Sequence, residues 1–129
     1  MEYVEAEKVI ELNLFALVAI RAKKKDHPKV LSRYKIELVL RGCRELEGDV
    51  FDKAGFLLNG FVKAHAFESG NRRTAFLVMK YFLLINSEKT NILDDPLNAR
   101  VMLGIREGYY SNEQIKEWIM NGKIKEFKR

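Results

Sequence analysis

The chain has 129 residues, a formal net charge of +5 and a sequence pI near 9.3. Its single cysteine, Cys43, excludes an internal disulfide, and no apolar run reaches the length of a membrane-spanning helix without a charge. Hydrophobic residues at 47% and charged residues at 32% are ordinary for a soluble globular protein, which sets the expectation of one domain over 1–129.

Such a domain buries about two-thirds of its unfolded-chain surface, so a true core is expected. The moderate positive charge suits an anionic ligand or an acidic partner, although lysine also serves solubility alone. A lone cysteine in a helical pattern reads as a packing residue in a reducing compartment. No basic, apolar, small-residue leader opens the chain, so the expected location is cytoplasmic, with no membrane partner.

Residues 3–24 predict the first helix, with Val9, Ile10, Phe15, Leu17, Val18 and Ile20 as its apolar face. Lys23, Lys24 and Lys25 stand where a helix dipole favours cations, and His27-Pro28 breaks the helix. The lysine run therefore reads as a solvated helix end, not a nucleic-acid contact, and His27 as an inert loop residue. Residues 30–47 predict a second helix that buries Leu31, Tyr34, Leu38, Cys43 and Leu46 and stops at Gly48.

Val50, Ala54, Leu57, Leu58 and Phe61 recur at helical spacing and predict a third helix up to Ala64. Gly55 and Gly60 inside it suggest close packing against another backbone, with helix 72–87 as the expected neighbour. Thr74 to Ile85 is almost wholly apolar and too long for a typical strand, which predicts a buried helix.

Asn86 to Pro96 is a polar loop. Asp94 and Asp95 invite a metal reading, but acidic residues before a helix are ordinary dipole partners. Pro96 then opens a helix over 96–107. Ser111-Asn112-Glu113-Gln114 is a capping box for a last helix with Ile115, Trp118 and Ile119 inward. The basic tail Lys123–Arg129 is expected to fray. The fold class is therefore all-α, with about six helices. The residues leave room for a short β-hairpin near 26–32 or 123–128.

Between the third and fourth helices lies His65-Ala66-Phe67-Glu68-Ser69-Gly70-Asn71-Arg72-Arg73. Gly70 permits a tight turn, and Asn71 is a good N-cap for the next helix. The free N–H groups and dipole of that helix start attract anions. Arg72 and Arg73 add forked donors that suit phosphate, and His65 stands at the preceding helix end, placed to take a proton. A base beside a phosphate cradle points to transfer of a phosphate-containing group.

This stretch resembles the Fic/Doc signature, His-x-Phe-x-Asp/Glu-Gly/Ala-Asn-Gly/Lys-Arg. His65, Phe67, Gly70, Asn71 and Arg73 match it, and the likeness covers roughly residues 49–86. Arg72 at the Gly/Lys position is closer to the basic residue of Doc-type (death-on-curing) toxins than to the glycine of Fic AMP-transferases. The second arginine of the longer Fic motif would fall at Phe76 and is absent.

The resemblance implies a compact helical domain with the motif loop joining two central helices. It implies an ATP-dependent transferase, moving phosphoryl or AMP to a Ser, Thr or Tyr hydroxyl of a protein target, with a translation factor among the candidate targets. His65 would be the general base and Phe67 the loop anchor. Gly70, Asn71, Arg72 and Arg73 would hold the nucleotide phosphates. Mg²⁺ would be held at position 69, where the family has an acidic residue and this chain has Ser69. Serine is a weak ligand for a hard cation. Three outcomes follow: weak metal binding through Ser69 and water, rescue by Glu68, or loss of catalysis.

Doc-type toxins are partnered by small antitoxins, and other Fic proteins carry an inhibitory Ser/Thr-x-x-x-Glu-Gly/Asn motif that is not found here. An antitoxin is thus an implied partner. The alternative is an inactive or weakly active helical binding module that keeps the anion cradle. A helix-turn-helix reading of 111–129 fails for want of clustered cations, since helix 111–121 offers only Lys116, so nucleic acid is not an expected partner.

Overall fold

The computed structural model describes residues 1–19 and 29–128. Among the described residues six helices follow in order: α1 (Ala6–Ala19), α2 (Arg33–Glu45), α3 (Val50–Ala64), α4 (Asn71–Ile85), α5 (Asn98–Arg106) and α6 (Asn112–Asn121). The expected all-α fold is the observed one. Among the described residues there is no strand, only one isolated antiparallel bridge between Val30 and Phe67. No hairpin forms over 29–32 or 123–128; residues 26–28 lie outside the described residues.

Helix α3 is the hub. It packs against α4, α6, α2 and α5, while α1 covers α4 and touches α2. Its own start is fixed by a capping box that the sequence reading passed over. The Asp49 side chain accepts from the main-chain N–H of Phe51 and Asp52, and Asp52 returns a bond to the Asp49 N–H. Ala54, Leu57, Leu58 and Phe61 are buried from α3, against Val78, Met79 and Phe82 of α4 and Ile115 and Ile119 of α6 within one core. That core places the α3–α4 loop at the surface between its two central helices.

Helix α2 ends at Glu45, not at Gly48, and its last carbonyls meet an unusual partner. Lys53 is 5% exposed, and its ammonium donates to the carbonyls of Cys43 at 2.7 Å, Arg44 at 3.3 Å and Leu46 at 2.6 Å. All three ammonium protons are thereby satisfied, which makes burial of the charge tolerable. The cation also stands 5.3 Å from the centre of the Tyr3 ring. Burial pushes the Cys43 thiol up to about 11, as suits an unreactive packing cysteine.

Several expectations need correction. The buried stripe of α2 is Ile36, Leu40 and Cys43, whereas Leu31, Tyr34 and Leu38 are exposed. On α1, Val9 and Leu17 are buried as expected, but Phe15 and Val18 face solvent. Ile20, the lysine run at 23–25 and His27 lie outside the described residues. Gly55 and Gly60 face neither each other nor α4. A Cβ on Gly55 would stand 3.6 Å from Ile115, and one on Gly60 would stand 2.8 Å from Val39, so their close neighbours are α6 and α2.

Helix α5 starts two residues after Pro96, with the Leu97 N–H bonded to the Asp95 side chain at 2.8 Å. That bond agrees with Asp95 as a helix-start partner. The described part of the tail, 123–128, is packed rather than frayed. Phe127 is buried, its carbonyl accepts from Arg100 Nε at 2.9 Å, and the Lys125 carbonyl accepts from the Tyr110 hydroxyl at 2.9 Å. Among the described residues, no helix is long and apolar enough to cross a membrane.

Candidate functional site

Helix α3 stops because His65 turns left-handed, at φ 51° and ψ 51°. That conformation costs a residue with a Cβ about 1–2 kcal/mol relative to the right-handed one. Glycine would avoid the cost, so a histidine here is a local compromise of the kind found at working sites. Its side chain is exposed beyond the end of α3.

The loop then doubles back under firm control. The Ala66 carbonyl accepts from the N–H of Leu31 at 2.8 Å and of Ser32 at 3.2 Å, and the Glu68 N–H donates to the Lys29 carbonyl at 3.0 Å. Phe67 is buried in the core at 1% exposure. Asn71 clamps the same residue from the other side. Its Oδ1 accepts from the Phe67 N–H at 3.0 Å, and its Nδ2 donates to the Phe67 carbonyl at 2.8 Å.

The clamp corrects the N-cap assignment. The N-cap of α4 is Gly70, at φ 77°, and it supplies no side chain; Asn71 is already the first helical residue. The Asn71 side chain is thus occupied within the loop. It also stands near the histidine. The two bonds to Phe67 fix which end of the amide is nitrogen, and Nδ2 lies 3.5 Å from His65 Nδ1. Which atom donates in that long contact depends on the histidine tautomer.

The start of α4 is left open. Among the described residues, none accepts a hydrogen bond from the main-chain N–H groups of residues 69–73; the first amide to be satisfied is Thr74, which donates to the Gly70 carbonyl at 2.8 Å. Helices α3 and α6 have capping boxes, but α4 has no side-chain cap and no acidic residue in its first turn. It has Arg72 and Arg73 there instead, both exposed and neither paired with a described carboxylate. Two cations at the positive end of a helix dipole oppose the helix. An anion at that point relieves the repulsion and satisfies the free amides together.

The donor set does not fit a protein-held Mg²⁺. Serine stands at position 69, Glu68 is an exposed carboxylate with its main chain turned to Lys29, and no group of three or more possible metal-holding side chains exists among the described residues. A cavity of about 560 Å³ lies elsewhere, between α3 and α6, lined by Asp52, Phe56, Lys116 and Met120 among others. Lys116 there is paired with Asp49 and Asp52, and no residue of 65–73 lines the space.

The loop therefore brings His65, Asn71 and the open start of α4 together, with Arg72 and Arg73 on its rim. Residues 9–83 match the profile of the Fic/DOC family, more than half of the chain. The chain belongs to that family. The matched span includes the whole of α2, α3 and the loop, and almost all of α1 and α4. No curated protein matches the chain.

Two parts of this Fic/DOC loop escaped the sequence. One is the lacing of 66–68 onto 29–32, which has no local signal beyond a short apolar pair, Val30-Leu31. The other is Asn13 on α1. It is fully buried, and its Nδ2 donates to the Ser69 carbonyl and to Thr74 Oγ1, each at 3.0 Å. The only hint in the sequence is a polar residue inside the apolar stripe of the first helix.

Proposed function

We propose that this chain transfers the terminal phosphoryl group of ATP to a hydroxyl of a protein target. The observation that carries the reading is the uncapped start of α4, where, among the described residues, a run of main-chain amides and two arginines beside an exposed histidine have no partner. Membership of the Fic/DOC family, a family of transferases, supports it. The free amides and Arg73 would hold phosphate oxygens, where negative charge gathers during transfer. His65 would take the proton of the target hydroxyl. The hydroxyl oxygen forms its bond to the γ-phosphorus, the bond from that phosphorus to the β-phosphate oxygen breaks, and ADP leaves with the electron pair.

Arg72 favours phosphoryl over AMP, because a side chain where AMP-transferases of the family have glycine crowds one orientation of the nucleotide. A Ser, Thr or Tyr of the target would supply the hydroxyl, in a cytoplasmic setting and under a small protein antitoxin. The second reading is a binding module that keeps the cradle without chemistry. It is favoured by the poor fit of Ser69 and Glu68 to Mg²⁺.

Cell extract incubated with the protein and ATP labelled at either the α- or the γ-phosphate separates these readings. The γ-label is expected on one or a few proteins, identified by mass spectrometry. Transfer of the α-label instead would assign AMP transfer. Transfer of neither, with ATP still bound in calorimetry, would assign the binding module.

A further inference from the structure

We infer that Asn13, outside the loop and 56 residues away from it in sequence, is a positioning residue for the phosphate cradle. The inference rests on the phosphate-holding reading of the loop. Asn13 is fully buried on the stripe Ala6, Val9, Asn13, Ala16 and Leu17, where every other member is apolar. Its Nδ2 donates to the Ser69 carbonyl and to Thr74 Oγ1, so one amide ties together the residue before Gly70 and the first turn of α4. Its Oδ1 is buried and has no hydrogen-bond partner among the described residues. Turning the amide over would set that oxygen against the Ser69 carbonyl, so the orientation is determined.

The geometry has one direct effect. The C=O and N–H of a trans peptide point in opposite directions, and this chain has no cis peptide among the described residues. Drawing the Ser69 carbonyl inward to Asn13 therefore turns the Gly70 N–H away from the core. That N–H is one of the free donors at the start of α4. Gly70 fits the arrangement closely: a Cβ there would stand 3.4 Å from Asn13 Nδ2 and 3.2 Å from Leu17 Cδ2.

An aliphatic residue of similar volume would remove the orphaned oxygen and continue the apolar stripe, but would leave the Ser69 carbonyl and Thr74 Oγ1 without their donor. A polar group in an otherwise apolar stripe, with its bonds directed at the residue before Gly70 and at the first turn of α4, marks a residue that sets the geometry of that helix start. Asn13 touches no substrate in this scheme. It sets the direction of a peptide that does.

The test is Asn13→Leu, which removes both donated bonds with little change in volume. Calorimetric titration of the folded variant with ATP is expected to show affinity weakened by about tenfold or more, alongside a lower melting temperature from the stranded Ser69 carbonyl and Thr74 hydroxyl. A merely structural asparagine would move the melting temperature and leave the affinity of the folded fraction alone. If Asn13→Leu does not fold, Asn13→Ser replaces it, because a hydroxyl on so short a side chain cannot reach both acceptors. ATP affinity within about twofold of the unaltered chain in a folded variant overturns the inference. If the unaltered chain itself binds no ATP, the proposed function fails separately. The crystal structure of the variant then decides for Asn13: a rotated 69–70 peptide supports the role, and an unmoved one overturns it.

Discussion

Asn71 holds both main-chain polar groups of Phe67 at once, accepting from the N–H at 3.0 Å and donating to the carbonyl at 2.8 Å. The phenyl ring between them is buried, so this clamp ties the loop's path to the core. Asn71→Asp keeps the acceptor but sets a second oxygen against the Phe67 carbonyl. The expected cost is about 1–3 kcal/mol of stability, the range for an unsatisfied buried group. Denaturant titration measures it, and an unchanged midpoint would show that the clamp contributes nothing.

His65 combines a strained backbone with an exposed ring, and two substitutions separate the two properties. His65→Ala and His65→Gly are both expected to abolish transfer. They should differ in stability, the glycine variant being more stable than the alanine variant by about 1 kcal/mol, because only glycine takes φ 51° without strain. Thermal melts of the pair check this without any assay of activity.

Arg73→Ala is expected to weaken ATP binding by about tenfold or more, since a charged forked contact contributes about 1.5–3 kcal/mol. Arg73→Lys should recover only part of the loss, because an ammonium cannot make the same planar pair of bonds. The alanine variant should melt no lower than the parent, since it removes a cation from the positive end of α4. Unchanged affinity in calorimetry would refute the cradle.

Ser69→Asp supplies the carboxylate that the family motif has at this position and this chain does not. Transfer is expected to rise with Mg²⁺ in the variant more steeply than in the parent, and His65→Ala should abolish it in both backgrounds. A melting curve establishes that the loop survives the added charge. If the folded variant is no faster at any Mg²⁺ concentration, position 69 is not the missing ligand, and the binding-module reading gains.

The sequence made the helices legible, because periodicity and capping residues are local. α3 falls at its predicted bounds, and the Ser111–Gln114 box opens α6 as read. It was less informative about which face of a helix turns inward. In the predicted helix 30–47, Leu31, Tyr34 and Leu38 make one apolar stripe, and Ile36, Leu40 and Cys43 make another at equally good spacing. Only the position of α3 selects the second. Asn13 was illegible for a stronger reason, since its partners are 56 and 61 residues away. The tail misled through its charge: Lys123, Lys125 and Lys128 suggested fraying, while Phe127 anchors it.

Lys53, held by three carbonyls beneath α2, has a consequence for chemical labelling. An amine-reactive reagent attacks the unprotonated lysine, and this one is out of reach and fully committed as a donor. Exposed lysines such as Lys63 and Lys80 will acylate on contact, but Lys53 must wait until α2 and α3 separate. Its rate of modification, followed by mass spectrometry, is therefore a clock for the opening of the core that holds the loop in place.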